Sequence, residues 1–223
     1  MKTPEKYLEK TQSAVIKLID GIDSYMQIIK ESPKPIFRGR GKLSEYDREK
    51  IEQDFNIWRE KHKEVIEIAN SRIKEFSAES FALGTLCGSL LQISAMGIQM
   101  FSDNDGIPED MDKTLVSLLE KYRKSRKFCI GRRVHDLPIG LIIYAGRNQY
   151  NHMADEKLHR LNQTIFELLA RNYEGAKENS PKHPSFDLEN DLLFNYSTNI
   201  TALLGWRDYD SYYSDMESLI IMQ

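Results

Sequence analysis

Cysteine, proline and glycine are scarce in this chain. Its 223 residues include 2 Cys, 7 Pro and 12 Gly, while 40% are hydrophobic and 29% are charged. Such a composition excludes a disulfide-stabilised scaffold, a collagen-like repeat and a wholly disordered chain. The first residues also lack the apolar stretch of a secretory signal. We therefore expect a cytoplasmic protein. Its length predicts one domain or two small ones, and we favour a single domain over residues 1–223.

The chain has no overall excess of positive charge. Its 31 Lys and Arg residues stand against 34 Asp and Glu residues, which gives a formal net charge of −3 at pH 7. Proteins that bind nucleic acid usually carry a basic excess or a basic patch. A nucleic-acid partner must therefore be argued from local clusters of charge.

One long segment, residues 80–102, has no formal charge. Its 23 residues would be enough to cross a membrane by length. The segment also contains serine, threonine, glutamine and three glycines, which is normal for a helix that is buried on all sides in a protein. We predict that it lies in the core or in a subunit interface, with Cys87 as a buried packing residue, and we expect no membrane partner.

Apolar residues recur at intervals of three and four along most of the chain, which predicts an all-α bundle of about five to seven helices. Pro138 suits the first turn of a long fifth helix, and residues 172–186 are typical of a surface loop. The bundle divides into N-terminal helices 5–77, a motif-bearing core of about 78–171 and C-terminal helices 187–221. The expected helices are 5–31, a long one after Ser44, 78–102, 110–127, 138–171, 187–204 and 210–221.

The residues most suited to chemistry are Arg147, Asn148 and His152, near the start of the fifth predicted helix. An arginine is a permanent cation with several donors for a phosphate, and a histidine titrates near neutral pH and can move a proton. Asn148 could orient the imidazole or hold substrate. Arg147 and His152 are five residues apart, so an ideal helix turns them about 140° away from each other. They could converge across a symmetric seam between two copies of the helix.

The pattern Arg147-Asn148-x-x-x-His152 resembles the R-N-x-x-x-H signature of the HEPN ribonucleases. The run of residues 137–146 that leads into it is also similar to small stand-alone bacterial HEPN proteins, so the resemblance covers about residues 130–170. It implies an all-α homodimer that cleaves RNA without a metal or other cofactor, at a site where the Arg and His of both protomers meet. Arg147 would stabilise the phosphate, His152 would be the acid/base group, and Asn148 would be their polar neighbour.

The same resemblance implies a biological setting. Many members of the family are toxins or phage-defence effectors, so the partners would be an RNA substrate and an antitoxin or other regulatory protein. HEPN toxins that are paired with a nucleotidyltransferase often carry a tyrosine two residues after the histidine, as a target of modification. Here that position is Ala154, which puts silencing by that route in doubt.

A basic cluster precedes the motif. Residues 121–133 hold seven positive charges and no acid, which is typical of a surface that holds phosphates. We predict RNA contacts from this cluster and base stacking by Tyr150, with Tyr144 as a further candidate. The alternatives are a solvated helix face for the charges and half-buried packing for the tyrosines. The predicted RNA-binding residues are Lys124, Arg126, Lys127, Arg132, Arg133 and Tyr150.

Two other interpretations compete with the ribonuclease. His152, Asp155, Glu156 and His159 are spaced to share one helix stripe, but a single helix offers too few ligands for a metal. We therefore predict no metal site, with Asp155 or Glu156 orienting His152 or lying in water, and His159 at the surface. The competing functional class is a non-catalytic helical module that binds RNA or protein or regulates a partner.

Overall fold

The computed structural model describes residues 2–38, 45–152, 157–177, 179–190 and 195–222, without the side chains of residues 45–47. Over these residues the protein is mostly helical and essentially all-α, as predicted. Eight α-helices and one 3₁₀ helix are described. The α-helices are α1 (Pro4–Lys30), α2 (Glu45–Lys61), α3 (Lys63–Phe101), α4 (Lys113–Lys121), α5 (Ile139–Asn151), α6 (Arg160–Arg171), α7 (Ser197–Leu204) and α8 (Tyr209–Ile220), and the 3₁₀ helix is Arg123–Phe128.

The predicted continuous helix over residues 138–171 is wrong, because the structure has two helices there. α5 ends at Asn151, with His152 as its C-cap, and α6 begins at Arg160. Residues 157–159 are not helical, and 153–156 lie outside the described residues. No glycine or proline occurs between residues 147 and 171, so the residue types that normally end a helix gave no signal here.

Other predicted helix boundaries also shift. α3 runs through the boundary that we predicted at residues 77 and 78, and the interruption falls at His62 instead. The helix predicted over 110–127 begins at Lys113, because the Asp112 carboxylate caps the first turn by accepting from the backbone N–H groups of Thr114 and Leu115. It changes to 3₁₀ geometry after residue 121. In the predicted helix 187–204, residues 187–190, 195 and 196 are not helical, 191–194 lie outside the described residues, and α7 covers Ser197–Leu204.

A two-stranded ribbon lies directly before α5. Strands β1 (Arg133–Val134) and β2 (Leu137–Pro138) are antiparallel, with Arg133 opposite Pro138. The two residues between them, His135 and Asp136, have φ values of 49° and 62°. Positive φ at both positions is what a type I′ hairpin requires, and Asp and His tolerate it better than bulky residues do. The ribbon therefore occupies residues 133–138, between the helix predicted over 110–127 and the one predicted from Pro138.

The described chain divides into two compact units. One comprises Met1–Ile22 and Ala82–Gln223, and the other comprises Asp23–Phe81. The first contains the main hydrophobic core, to which α1, the second half of α3 and all of α4–α8 contribute side chains. In the second unit, the Phe55 ring lies 5.3 Å from Phe37 and 5.9 Å from Trp58, between ring centroids. The single domain over residues 1–223 stays a prediction.

Among the described residues, α3 is the one helix that is long and apolar enough to cross a membrane by length and composition. In the structure, 56% of its most apolar stretch is buried against the rest of the protein. Six of its residues from Leu83 onward belong to the core and are at most 4% exposed. Burial of this kind is expected of the core helix that the sequence predicts. The thiol of Cys87 is buried there, also as predicted.

The C-terminal helix α8 is tied to the segment before α5 by an ion pair. Asp215, which is 8% exposed, accepts two hydrogen bonds of 2.8 Å from the Arg132 guanidinium. The same carboxylate accepts a hydrogen bond of 2.9 Å from the buried indole N–H of Trp206. Arg132 also donates to the backbone carbonyl of Leu204 at 2.6 Å. This carboxylate therefore joins the C-terminal part of the chain, at Trp206 and α8, to Arg132, which lies 83 positions before Asp215.

Asp215→Ala is expected to lower the free energy of unfolding by about 2 kcal/mol, because it leaves the buried Trp206 N–H without an acceptor and removes the partner of Arg132. Chemical denaturation at pH 7 measures the change. The matched control is Asp210→Ala, an exposed acid in the first turn of the same helix, for which we expect a loss below about 0.5 kcal/mol. Equal losses in the two variants would contradict a structural role for the Asp215 ion pair.

Candidate functional site

The predicted motif lies in the last turn of α5, where this helix leaves the core. α5 packs against α6, α7 and the 3₁₀ helix. Its first half is buried on all sides, from Ile139 to Ile143, and Ala145 and Gly146 are buried as well. Arg147 and Asn148 are half-buried and His152 is exposed. A buried helix therefore anchors the motif and presents its polar end at the surface, as a rigid site requires.

Gly140 allows the basic 3₁₀ helix to lie close to the start of α5. A Cβ atom at this position would be 2.4 Å from the backbone oxygen of Phe128, the last residue of the 3₁₀ helix. No side chain can be accommodated at that distance without a shift of backbone. The close approach places the residues 121–128 beside the helix that carries the motif. This role of Gly140 was not predicted from the sequence.

Arg147 is held by two polar neighbours. Its Nε donates a hydrogen bond of 3.0 Å to Oε1 of Gln92 on α3, and its Nη1 donates one of 2.9 Å to Oδ1 of Asn148. The same Gln92 oxygen accepts from Nδ2 of Asn151 at 3.1 Å. Gln92 thus orients the motif from another helix. Gln92 was not predicted as a site residue, because an isolated glutamine in an uncharged segment carries no signal of its contacts.

Asn148 and His152 line an open cleft with a volume of about 810 Å³. Four cationic side chains line it with them, and no Asp or Glu occurs among its described lining residues. A concave surface lined by charge of one sign concentrates counter-ions, here anions. The described lining residues are Lys121, Tyr122, Arg123, Lys124, Ser125, Tyr144, Asn148, His152, Lys157, Leu158, His159 and Asn162.

Arg147 does not line this cleft. It lines a smaller cavity of about 140 Å³ beside Met96 and Met100 of α3, and Tyr144 borders both spaces. Within one chain, the structure therefore brings Asn148 and His152 together with the cations, while the Arg147 guanidinium faces the neighbouring cavity. The divergence agrees with the angle of about 140° expected for two residues that are five positions apart on a helix.

His159 brings a second imidazole to the cleft. It is the N-cap of α6 and makes no capping hydrogen bond with its side chain. Its ring lies edge-on to the ring of Tyr122, with 4.5 Å between the centroids. His159 is exposed, as predicted, but it faces the same space as His152. From the sequence we predicted His159 on the same stripe of one continuous helix as His152. In the structure the helix is broken, and His159 lies at the start of α6.

The basic cluster is divided between the cleft and other contacts. Of the predicted RNA-binding residues, Lys124 lines the cleft. The Arg126 guanidinium lies 3.6 Å from the Asp105 carboxylate. Lys127 donates to the backbone oxygen of Gln99 at 3.3 Å. Lys124 is therefore in a position to meet a ligand in the cleft, while the other two side chains contact the chain itself.

Arg132 and Arg133 make their contacts with parts of the chain outside the motif. Arg132 is held by Asp215, as described above. The Arg133 guanidinium is paired with the Asp110 carboxylate and also donates to the backbone oxygen of Asp136 at 2.6 Å. Neither residue lines the cleft. Their positive charges are therefore engaged in the fold, and we leave both out of the proposed RNA path.

Tyr150 packs against α3 and does not line the cleft. A Cβ atom at Gly88 would be 2.4 Å from the Tyr150 ring, so the absence of a side chain at Gly88 is what lets the ring lie there. This arrangement corresponds to the half-buried packing that was the alternative to stacking. Tyr122 and Tyr144 line the cleft instead. They are the tyrosines that offer a surface for a base there.

Within the part of the chain that the structure describes, no group of three His, Cys, Asp or Glu side chains could hold a metal ion. Asp155, Glu156 and Ala154, on which the metal and modification interpretations depend, lie outside the described residues. Burial raises the pKa of the Cys87 thiol to about 11 and that of the Cys129 thiol to about 12. Both thiols are thus protonated near neutral pH and are poor nucleophiles.

No protein-family model matches the chain, and comparisons with curated proteins and with solved structures give no significant match. The resemblance to the HEPN ribonucleases therefore rests on the sequence pattern of about residues 130–170 alone.

Proposed function

We propose that this protein is a metal-independent endoribonuclease of the HEPN type that acts as a homodimer. The observation that carries the proposal is that Asn148 and His152 open onto a cleft whose described charged residues are all cationic. Such a cleft attracts a polyanion by its electrostatic field, and the histidine of the motif is placed where the bound strand would lie. A cytoplasmic toxin or phage-defence effector with a regulatory partner is the setting that the family resemblance favours.

The proposed reaction is an attack of a ribose 2′-oxygen on the adjacent phosphorus. The 2′-hydroxyl gives its proton to an imidazole, the new P–O2′ bond forms, and the P–O5′ bond breaks. The departing 5′-oxygen takes a proton from an imidazolium. The products are a 2′,3′-cyclic phosphate and a 5′-hydroxyl, and no metal is needed because arginine and lysine stabilise the extra negative charge.

Two proton transfers need two acid/base groups, and the motif supplies one histidine per chain. We propose that the second comes from His152 of the other copy, and that both Arg147 guanidiniums stabilise the phosphorane-like state. His159, in the same cleft, offers a different source within one chain. Asn148 is the positioning residue, because its Oδ1 accepts from Arg147 while the side chain also lines the cleft.

The proposed function predicts cleavage of RNA that does not depend on a divalent metal. Purified protein incubated with a labelled RNA should give 2′,3′-cyclic phosphate ends at the same rate in EDTA and in Mg²⁺, as resolved by gel and mass spectrometry. A strand with a single 2′-deoxyribose at the preferred site should resist cleavage there, because the nucleophile is missing. The control is the same strand with the deoxyribose at a different position.

Two outcomes would contradict this proposal. Activity that disappears in EDTA and returns with a divalent ion would favour metal-dependent hydrolysis. Absence of cleavage with a broad mixture of RNAs, together with tight binding of RNA or of a protein partner, would favour the non-catalytic binding module.

A further inference from the structure

Asn162, in the first turn of α6, has a buried carboxamide at the wall of the cleft. The residue is 3% exposed, and its Oδ1 is a buried atom that accepts no hydrogen bond within the described residues. It is the one buried side-chain oxygen or nitrogen of that kind in the described part of the chain. Asn162 was not identified as a functional residue from the sequence.

A buried acceptor without a donor weakens a fold and is rare in native proteins. A leucine of similar size would fill the same space without this cost. Exceptions of this kind concentrate at functional sites, where a ligand completes the hydrogen bonds. The position of Asn162 at a cleft that already carries the motif residues points to a ligand that supplies the missing donor.

The other walls of the cleft indicate what such a ligand carries. Lys121, Arg123, Lys124 and Lys157 line it, and no ion pair among the described residues involves any of them. They are suited to phosphate oxygens. The rings of Tyr122 and Tyr144 offer stacking surfaces for a planar base. A space of about 810 Å³ is large enough for a nucleotide.

We propose that Asn162 recognises the base of a nucleotide in this cleft and that it selects adenine. A carboxamide presents an acceptor beside a donor, which matches the amino group N6 and the ring nitrogen N7 of adenine. Oδ1 accepts from N6–H, and Nδ2 donates to N7. The inference rests on the proposed function in taking an RNA strand as the ligand, and it adds a preference for cleavage next to adenosine.

The test uses strands that cannot be cleaved, so that binding is measured apart from catalysis. Fluorescein-labelled 2′-O-methyl octamers of A, C, G and U are titrated with the full chain and followed by anisotropy. The wild type should bind the A octamer about tenfold more tightly than the U octamer, which is the discrimination expected of one bidentate pair. Asn162→Leu and Asn162→Ala should bind both octamers with the affinity that the wild type shows for U.

Two control variants separate base recognition from other effects. Lys124→Ala should weaken binding of all four octamers by a similar factor, because it removes a phosphate contact and no base contact. Gln163→Ala, the neighbour of Asn162 on α6 that does not line the cleft, should leave all four affinities unchanged. The melting temperature of Asn162→Leu should equal or exceed that of the wild type, because an unpaired polar group is replaced by an apolar one.

Equal binding of the four octamers by the wild type would overturn the proposal. Retention of the A preference by Asn162→Leu or Asn162→Ala would also overturn it. The proposed function can be contradicted independently of this inference. Cleavage of RNA without an A preference would contradict only the role of Asn162. An A preference that depends on Asn162, in a protein that cleaves no RNA, would contradict only the proposed ribonuclease activity.

Discussion

His152→Ala is expected to lower the rate of RNA cleavage by about a hundred- to ten-thousand-fold, which is the range that a positioned general acid or base contributes. The side chain is exposed and follows the last residue of α5, so its removal should leave the helical core intact. Initial rates with a defined oligonucleotide measure the effect. Circular dichroism and size-exclusion chromatography should show an unchanged fold and an unchanged dimer.

His159→Ala and His183→Ala are the comparison variants for this measurement. His183 does not line the cleft, so its variant should cleave RNA at the wild-type rate. His159 lines the cleft beside Tyr122, and we expect its variant to lose less than about tenfold, as a neighbour that does not transfer a proton. A loss equal to that of His152→Ala would move the second proton transfer from the other copy to His159. Wild-type activity in His152→Ala would refute the assignment of the motif.

The helices α1 and α8 could be predicted from the sequence because each buries an apolar stripe that recurs at helical spacing. α1 and α8 agree with their predicted ranges to within one residue at each end. The break between α5 and α6 could not be predicted, because residues 147–171 contain no glycine or proline. The packing of α6 decides how the chain continues after this break, since Leu161, Ile165 and Phe166 are buried in the core. Local residue preferences do not reveal such tertiary contacts.

The site was predictable only where its residues are close in sequence. Arg147, Asn148 and His152 form a short pattern and can be recognised together. Gln92 reaches Arg147 from a distance of 55 positions along the chain, and no local pattern marks it.

The basic cluster shows the same limit. Its seven charges are equivalent in the sequence, yet Lys124 lines the cleft while Arg132 is bound to Asp215, which is 83 positions away. Charge density therefore indicated a part of the chain that supplies cations to the cleft, and only the fold could tell the side chains that line the cleft from those that pair with other residues of the chain.

Arg147→Ala is expected to lower the cleavage rate by about a hundred- to a thousand-fold, the loss typical when one donor to a charged transition state is removed. It should also inactivate wild-type chains in the same dimer. In one chain Arg147 and His152 line different cavities, so we expect the reacting phosphate to be held by side chains of two copies. A tenfold excess of the Arg147→Ala variant, equilibrated with wild-type protein to allow exchange of subunits, should lower the wild-type activity by about tenfold.

The matched control for this experiment is the same excess of Arg171→Ala, which removes an exposed arginine at the far end of α6. It should leave the activity per chain at the wild-type value, so that the total activity rises in proportion to the added protein. If Arg147→Ala is inactive by itself but does not lower the wild-type activity in the mixture, each chain carries a complete site. Its own Arg147 would then have to move from the cavity beside α3 toward the cleft. The RNA is kept in excess over the total protein, so that the variant cannot suppress cleavage by sequestering the substrate. Under that condition suppression by the mixture requires shared sites, because an inactive variant does not affect chains that work independently. The mixing experiment therefore tests the symmetric seam separately from the chemistry of the motif.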